Sequence, residues 1–276
     1  MQKQNHTPSV LITGCGKGGI GHALAVEFQR KGHLVFTTLL PHEPHDHLTG
    51  IGITAVSADV TSDLDMKSLR DLISKETGGQ LDFLNIGYTM TAIDTDVKEV
   101  EKMFAVNVFG PMRMVHVFHP LLIRAQGKVV NIGSVGGIVP YVYGSSYNAG
   151  KAALHHWGNT LRVELKPFGV DVVNIISGEI GTNILKRDRG RQLPKDSFYA
   201  PLAEEFENHV GRTPKTTPPH QYARAVVAEV TKQNPRIWFW TGATSSLVWF
   251  GDTLLPRWIW DWLFTREFQL GRLSRT

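Results

Sequence analysis

Short apolar runs alternate with longer amphipathic stretches along most of the chain. A run that is apolar throughout and rich in β-branched residues predicts a strand covered on both faces. Seven such strands are predicted, at Ser9–Thr13, Leu34–Thr38, Ile53–Ala58, Leu81–Asn85, Lys128–Ile132, Val170–Ile176 and Arg236–Trp240. Helical spacing predicts helices between them at Gly21–Lys31, Asp63–Thr77, Val97–Ala125 with an interruption at Gly110-Pro111, Tyr147–Pro167 and Tyr222–Lys232.

Strands that alternate with helices indicate βαβ units and a parallel sheet. The alternation becomes irregular after the sixth predicted strand, and we expect a substrate loop over about 178–220. An aromatic segment follows over about 241–276. No internal repeat and no linker interrupts the chain, so residues 1–276 are predicted to form one domain.

The amino-acid composition excludes several classes of protein. Hydrophobic residues make up 42% and charged residues 20% of the 276 residues, which excludes a disordered or low-complexity chain. The single cysteine, Cys15, excludes a disulfide framework and a cysteine-based zinc site. The net charge of +4 comes from scattered basic residues, which is not the pattern of a nucleic-acid-binding protein but favours anionic ligands such as phosphates. We expect no secretory signal and no membrane span, and therefore an intracellular, cytoplasmic protein.

A glycine-rich loop, Thr13–Gly21, joins the first predicted strand to the first helix. Glycines there permit a tight turn and let a pyrophosphate approach the backbone, while the helix N-terminus supplies N–H donors and the positive end of a dipole. An ordinary turn is the alternative, but the strand–loop–helix context favours dinucleotide binding.

Tyr147 and Lys151 stand four residues apart on one face of a predicted helix, so their side-chain ends can meet. A nearby ammonium group lowers the pKa of a phenol from about 10, which suits Tyr147 to exchange a proton with a carbonyl or alcohol near neutral pH. Ser134, at the end of the fifth predicted strand, can hydrogen-bond the same substrate oxygen. For this spacing alone, an exposed Tyr–Lys pair on a helix surface is the alternative.

Taken together, these motifs resemble the short-chain dehydrogenase/reductase family over about residues 8–240. The shared motifs are the glycine loop, Asp59-Val60 after the third strand, Asn107 in NVFG, Ser134 in NIGS and YNAGK at Tyr147–Lys151. Within the family, TGCGKGGIGHALAVEF, YTM and the aromatic tail resemble the fungal 1-acyldihydroxyacetone-phosphate reductase-like group, which includes lipid reductases and reductases of secondary-metabolite pathways. The resemblance implies an α/β, doubly wound Rossmann fold with a seven-stranded parallel sheet in the order 3-2-1-4-5-6-7.

The resemblance also implies roles for individual residues. Ser134 would position the substrate oxygen, Tyr147 would be the acid/base, Lys151 would tune Tyr147 and hold the nicotinamide ribose, and Asn107 would relay protons through a water. The implied cofactor-binding residues are Gly14, Lys17, Gly19, Ile20, Gly21, Asp59, Val60, Asn107, Tyr147, Lys151 and Thr182. Long helices beginning near Val97 and Tyr147 are the usual dimer faces in the family, so a homodimer or homotetramer is expected.

Two segments depart from the family pattern. The usual NNAG after the fourth strand is here a shortened segment, Leu84–Tyr88, which would weaken cofactor binding or reshape the cleft. The usual PG after the sixth strand is Ser177-Gly178, which would cost only rigidity.

The charge pattern favours NADP(H) over NAD(H). An NAD-type site places an acid after the second strand to bond the ribose hydroxyls, and Thr37–His42 contains none. Lys17 in the glycine loop can pair with a 2′-phosphate, although the Arg often expected near Leu39 or Leu40 is absent. A solvated loop lysine is the alternative for Lys17.

Three further features have two interpretations each. His42, His45 and His47 can ligate zinc, but a solvated loop is favoured and no metal site is predicted. Lys186–Arg191 can meet an anionic substrate group or be a solvated charged loop. Six of the seven tryptophans fall between Trp238 and Trp262, which suits a peripheral membrane contact; a packed tail, a lid or a dimer contact is the alternative.

The predicted function is NADP(H)-dependent reduction of a ketone, or oxidation of the matching secondary alcohol, in an apolar lipid or secondary-metabolite substrate. The first alternative is a non-redox cyclase, dehydratase or isomerase that keeps the fold. The second is a cofactor-sensing protein without turnover, against which the intact Ser134, Tyr147 and Lys151 argue.

Overall fold

The computed structural model describes residues 7–77, 90–182 and 190–273. Its strands lie close to the predicted positions. They are β1 Ser9–Ile12, β2 Leu34–Leu39, β3 Thr54–Ser57, β4 Lys128–Ile132, β5 Asp171–Ser177 and β6 Trp238–Thr241. The predicted strand at Leu81–Asn85 and the shortened segment Leu84–Tyr88 lie outside the described residues.

The helices of the described residues are numbered here in chain order. They are α1 Ile20–Arg30, α2 Asp46–Thr49, α3 Asp63–Thr77, α4 Val97–Phe104, α5 Gly110–Ala125, α6 Ser145–Leu165, α7 Ala203–Gly211, α8 Pro219–Val230, α9 Ser245–Leu254 and α10 Trp258–Glu267. A π-helical segment, Ala105–Phe109, joins α4 to α5.

In the described residues the strands form two parallel three-stranded groups. In the first, β1 pairs with β2 and β2 with β3; in the second, β4 pairs with β5 and β5 with β6. These groups correspond to 3-2-1 and 5-6-7 of the predicted order, and they confirm the α/β fold with parallel strands. The division of residues 1–276 into a single domain stays a prediction.

Helices cover both faces of the strands, which explains why most strand residues are apolar. On one face Val10, Ile12 and Val35 pack in a core with α1 and α8. On the other face Leu11 and Phe36 pack in a core with α3 and α5. Successive strand residues point to opposite faces, so β1 and β2 contribute to both cores.

The interruption in the long helix lies earlier than the sequence predicts. Gly110-Pro111 begins α5, where a proline lacks only an N–H that the first turn does not use. The irregular turn is instead the π segment Ala105–Phe109, which contains the buried Asn107. Such π segments often occur at functional sites.

The expectation that about 178–220 is irregular is wrong for part of that range. Residues 203–211 form α7, which buries Phe206 and Val210. Leu202, Phe206 and Val210 recur every four residues, so a helical spacing was present in the sequence between the prolines and charges. The expected 241–276 segment contains α9 and α10, which bury Val248, Trp260 and Phe264. Within 7–77, 90–182 and 190–273, no helix is long and apolar enough to cross a membrane.

Candidate active site

A cavity of about 1130 Å³ opens at the carboxyl ends of the strands. Residues that follow β1, β2, β3, β4 and β5 line it, as expected for a doubly wound sheet, where ligands bind at this edge. Predicted site residues that line the cavity are Gly14, Lys17, Gly19, Ile20, Gly21, Asp59, Val60, Ser134, Tyr147 and Thr182. Asn107 and Lys151 are buried behind this wall, with exposed fractions of 2% and 0%.

The glycine loop folds so tightly that side chains would not fit. A Cβ on Gly21 would lie 2.6 Å from the Gly14 carbonyl oxygen, and a Cβ on Gly19 would lie 3.0 Å from the Gly16 carbonyl oxygen. Gly14 and Gly18 have φ angles of 66° and 79°, which favour glycine. The loop therefore brings backbone and the start of α1 against the cavity, which fits the pyrophosphate of a dinucleotide.

An acid that the sequence analysis overlooked lies beside this loop. The Glu43 carboxylate accepts a hydrogen bond from the Leu40 backbone N–H at 2.9 Å, and a Cβ on Gly16 would lie 2.9 Å from it. Glu43 and Lys17 both line the cavity. The prediction that no acid lies at the end of the second strand is therefore wrong, because the chain turns back and places the Glu43 carboxylate beside the end of β2. The available signal was an acid four residues after β2.

His45 and His47, which follow β2, make hydrogen bonds within the protein. His47 Nε2 lies 2.8 Å from the Cys15 carbonyl oxygen, and His45 Nε2 lies 3.3 Å from Ser57 Oγ. Over the three described ranges, no group of three or more His, Cys, Asp or Glu side chains is arranged to hold a metal ion. Residues 186–189 of the charged loop Lys186–Arg191 lie outside the described residues.

Asp59 and Val60 follow β3 and form the next part of the wall. The Asp59 carboxylate accepts hydrogen bonds from the backbone N–H and the hydroxyl of Thr61, each at 2.8 Å. A Cβ on Gly110 would lie 3.2 Å from Val60 Cγ2, so the start of α5 sits tightly against this segment. Across the cavity, Thr182 is half-buried after β5 and donates its backbone N–H to the Ile180 carbonyl oxygen.

Ser134 and Tyr147 converge at one point of the wall. A Cβ on Gly136 would lie 3.4 Å from Ser134 Oγ and 3.3 Å from Tyr147 Cε1, so both side chains lie within contact of the same place. Ser134 Oγ accepts a hydrogen bond from the Gly136 backbone N–H at 3.1 Å. The serine O–H proton is therefore left to donate elsewhere.

Lys151 lies directly behind Tyr147 on α6. Its Nζ is 5.8 Å from the centre of the Tyr147 ring and donates a hydrogen bond to the Ile132 carbonyl oxygen at 2.9 Å. Burial lowers the pKa of Lys151 to about 7. Such a lysine is half-protonated near neutral pH, and any negative charge that develops on the nearby phenol favours its cationic form.

A buried amide network holds α6 against β4, β5 and β6. Asn131 Nδ2 donates to Asn174 Oδ1 at 3.0 Å, and Asn174 Nδ2 donates to Asn159 Oδ1 at 3.2 Å. Trp238 Nε1 donates to the same Asn159 oxygen at 2.8 Å. A Cβ on Gly158 would lie 2.4 Å from Asn174 Oδ1, so α6 approaches the sheet as closely as it does because residue 158 is glycine.

The far end of the cavity is aromatic and was not predicted residue by residue. Tyr141, Tyr143 and His209 line it, and the His209 ring lies 5.7 Å from the Tyr141 ring and 5.4 Å from the Tyr143 ring. Arg212 Nη1 lies 2.9 Å from His209 Nε2. Burial, followed by the charge of Arg212, lowers the pKa of His209 to about 3, so its ring is neutral and accepts from the guanidinium. Trp260 and Phe264 of α10 complete this end.

Sequence comparison places these features in a family. Residues 8–192 match the model of the short chain dehydrogenase family. The chain belongs to this family, whose members are oxidoreductases that use NAD or NADP, bind small-molecule substrates and are typically oligomeric.

Two relatives and one solved structure show the extent of the likeness. The chain is 63% identical to the short-chain dehydrogenase anuB of Penicillium roqueforti over 258 residues, covering 92% of this chain and 90% of the relative. It is 40% identical to the NADPH-dependent 1-acyldihydroxyacetone phosphate reductase of Schizosaccharomyces pombe over 200 residues, 70% of this chain and 68% of that one. A short-chain dehydrogenase structure from Streptomyces avermitilis shares the fold with a TM-score of 0.79 at 23% identity, covering 99% of both chains.

Proposed function

We propose that this protein is an NADP(H)-dependent oxidoreductase that reduces the ketone of a lipophilic substrate, or oxidises the matching secondary alcohol. The observation that carries the proposal is one cavity that joins the glycine loop, the Ser134–Tyr147 pair and an aromatic end. Lipids and secondary metabolites with a large apolar body are the substrate class that such an end favours.

The chain's own residues handle the oxygen and its proton. The Ser134 O–H donates to the substrate oxygen, since its lone pair already accepts from Gly136. Tyr147 gives its phenolic proton to that oxygen during reduction and takes a proton from the alcohol during oxidation. Lys151, behind the ring, stabilises the phenolate, and Asn107 in the π segment takes part in restoring the proton. The chemistry that a nicotinamide cofactor, held along the glycine loop, would supply is the transfer of a hydride to or from the carbon.

Lys17 supports the choice of NADP(H). It lines the glycine-loop part of the cavity, where its ammonium group can pair with a 2′-phosphate, and a 40% identical relative is named as NADPH-dependent. Glu43 lines the same part and disfavours that phosphate by charge repulsion. The balance between Lys17 and Glu43 therefore sets the preference for one cofactor over the other.

Titration by calorimetry with NADPH and with NADH tests the cofactor. We expect NADPH to bind at micromolar concentration and NADH much more weakly. A screen of lipophilic ketones, followed by the loss of NADPH absorbance, then tests the reaction. Product formed without a change in NADPH absorbance would instead support the non-redox cyclase, dehydratase or isomerase alternative, and binding of neither nucleotide would refute the proposal.

Exposed apolar residues support the association of several copies of this chain. Phe109, Val163 and Phe168 lie at the surface on or beside α5 and α6, which suits the proposed homodimer or homotetramer. The mass in solution, measured by light scattering, tests this, and a monomer would contradict it.

The C-terminal helices support a peripheral membrane contact inside the cell. Eight large apolar side chains of this segment are exposed: Leu247, Trp249, Phe250, Leu254, Leu255, Trp258, Trp262 and Leu263. Arg266 lies 5.7 Å from the Trp262 ring, the combination typical of an interfacial helix. Co-sedimentation with phosphatidylcholine vesicles is expected to fall in a Trp258→Ser/Trp262→Ser variant but not in Leu64→Ser, which changes an exposed leucine of α3.

A further inference from the structure

His155 connects α6, the helix that carries Tyr147 and Lys151, to Gly133–Gly137, which is called the serine loop below. It is 3% exposed on α6, one turn beyond Lys151, and its Nε2 lies 3.2 Å from the backbone nitrogen of Ser134. The backbone N–H donates this hydrogen bond, so Nε2 accepts it and carries no proton. Burial, followed by the charge of Lys151, lowers the pKa of His155 to about 3, which keeps the ring neutral with its proton on Nδ1.

Two glycines form a slot for the histidine ring. A Cβ on Gly133 would lie 2.1 Å from His155 Nε2, and a Cβ on Gly137 would lie 2.7 Å from His155 Cε1. These glycines stand on either side of Ser134 in the stretch Gly133–Gly137. The serine loop therefore closes around the ring, and no larger residue fits on either side without displacing it.

The ring is also held from behind. The Trp238 ring lies 5.5 Å from the His155 ring, and Asn174 Nδ2 donates a hydrogen bond to the His155 carbonyl oxygen at 3.3 Å. His155, Lys151 and Tyr147 are on one rigid helix. The His155 side chain thus links the Ser134 backbone N–H directly to the helix that carries the phenol.

We propose that His155 is a positioning residue that, through its neutral Nε2 and the glycine slot, holds Ser134 at the distance from Tyr147 at which both reach one substrate oxygen. This inference rests on the proposed function, because it assigns His155 an effect on that same reaction. His155 does not touch the substrate and acts only through Ser134.

Two substitutions separate the hydrogen bond from the packing. His155→Gln keeps an acceptor at the same number of bonds from the main chain, whereas His155→Leu keeps an apolar side chain of similar size and removes the acceptor. His156→Leu changes the exposed neighbouring histidine and is the matched control. NADPH affinity, which does not depend on Ser134, is expected to stay within about twofold in all three variants.

Amide hydrogen exchange tests the contact without any need for turnover. We expect the Ser134 amide to exchange slowly in the wild type, in His155→Gln and in His156→Leu, and about tenfold or more faster in His155→Leu. Equal exchange in the wild type and in His155→Leu, with the fold intact, would overturn the proposed contact.

Turnover of NADPH with the probe ketone 9,10-phenanthrenequinone tests the consequence. His155→Leu should lower kcat by about 10- to 100-fold, because small misplacements of reacting groups have effects of this size, while His155→Gln restores most of it. In a Ser134→Ala background, His155→Leu should cause no further loss; a loss as large as in the wild-type background would mean that His155 does not act through Ser134. A wild type that binds no NADPH defeats the proposed function, while the exchange measurement still decides the contact.

Discussion

The two ends of the cavity are built in different ways. The cofactor end consists mainly of the segments that follow β1, β2 and β3. Its shape depends on glycines at which an added Cβ would lie about 3 Å or less from other backbone atoms. The substrate end is assembled from side chains far apart in the chain, such as Tyr141, His209 and Phe264. Ser134 and Tyr147 lie where the two ends meet.

This difference determines which residues tolerate change. At the cofactor end, an added methyl group meets main-chain atoms that cannot move without displacing a strand. At the substrate end, aromatic rings meet other aromatic rings, such as Tyr141 and Phe264 at 5.4 Å, and side chains can repack. We therefore expect a fixed cofactor chemistry joined to a substrate end whose specificity changes with few substitutions.

Removing the phenolic hydroxyl at the junction should have the largest effect. Tyr147→Phe keeps the ring and its packing but deletes the proton that reaches the substrate oxygen, so we expect kcat to fall about 1000-fold. NADPH affinity should stay within about twofold, because the ring remains. Steady-state rates and calorimetry on the same preparation check both values. If more than a tenth of the activity survives, the acid/base assignment to Tyr147 is wrong.

Adding a methyl group at the cofactor end should be the next most severe change. In Gly21→Ala the new Cβ would lie 2.6 Å from the Gly14 carbonyl oxygen, so the loop must open, and we expect NADPH affinity to fall about 100-fold. Gly211→Ala is the matched control, since no atom lies within 4 Å of its Cβ position. Equal NADPH affinity in both variants would show that the tight loop is not needed for binding.

Most residues predicted for the cofactor end line the cavity, and they could be identified because their signals are local. A glycine pattern between an apolar run and a helix encodes backbone geometry within a few residues, as does the spacing of Tyr147 and Lys151. His155 and Glu43 were missed for a different reason. His155 acts on a residue in another element through a slot formed by Gly133 and Gly137, and Glu43 returns to the strand end through a turn, so neither relation is visible before the chain is folded.

The substrate end was missed for a third reason. Helix α7 contains a four-residue apolar spacing that nearby charged residues and prolines obscured. Its His209 could be recognised as a cavity residue only from its contacts with Tyr141 and Arg212 in the folded chain. Six strands of the described residues could be predicted from apolar runs, yet the depth at which α6 packs depends on the Asn131–Asn174 hydrogen bond and on Gly158. Polar pairs of this kind leave no periodic pattern.

Charge changes at the cofactor end should have intermediate effects. Lys17→Ala is expected to weaken NADPH binding about tenfold and NADH binding less than twofold, because only NADPH carries the 2′-phosphate that the ammonium group pairs with. Glu43→Gln should shift the preference the other way, strengthening NADPH relative to NADH, since it removes a negative charge from the same end. Calorimetric titration of each variant with both nucleotides measures the two ratios. An equal loss for both nucleotides in Lys17→Ala would refute its role in phosphate recognition.

The smallest effect concerns Lys151, whose buried ammonium group lowers the free energy of unfolding. In the folded protein the pKa of Lys151 is about 7, below its ordinary value of 10.5, so the unfolded chain binds more protons between these two values. The destabilisation is complete below pH 7 and is relieved as the pH rises from 7 towards 10.5. This one group should therefore add about 1 kcal/mol to the free energy of unfolding between pH 7 and pH 8. Lys151→Met should lose this increment, whereas Lys98→Met, at an exposed position, should keep it. Urea unfolding of the three proteins at the two pH values measures the difference, and an increment of the same size in Lys151→Met would assign the pH dependence to other groups.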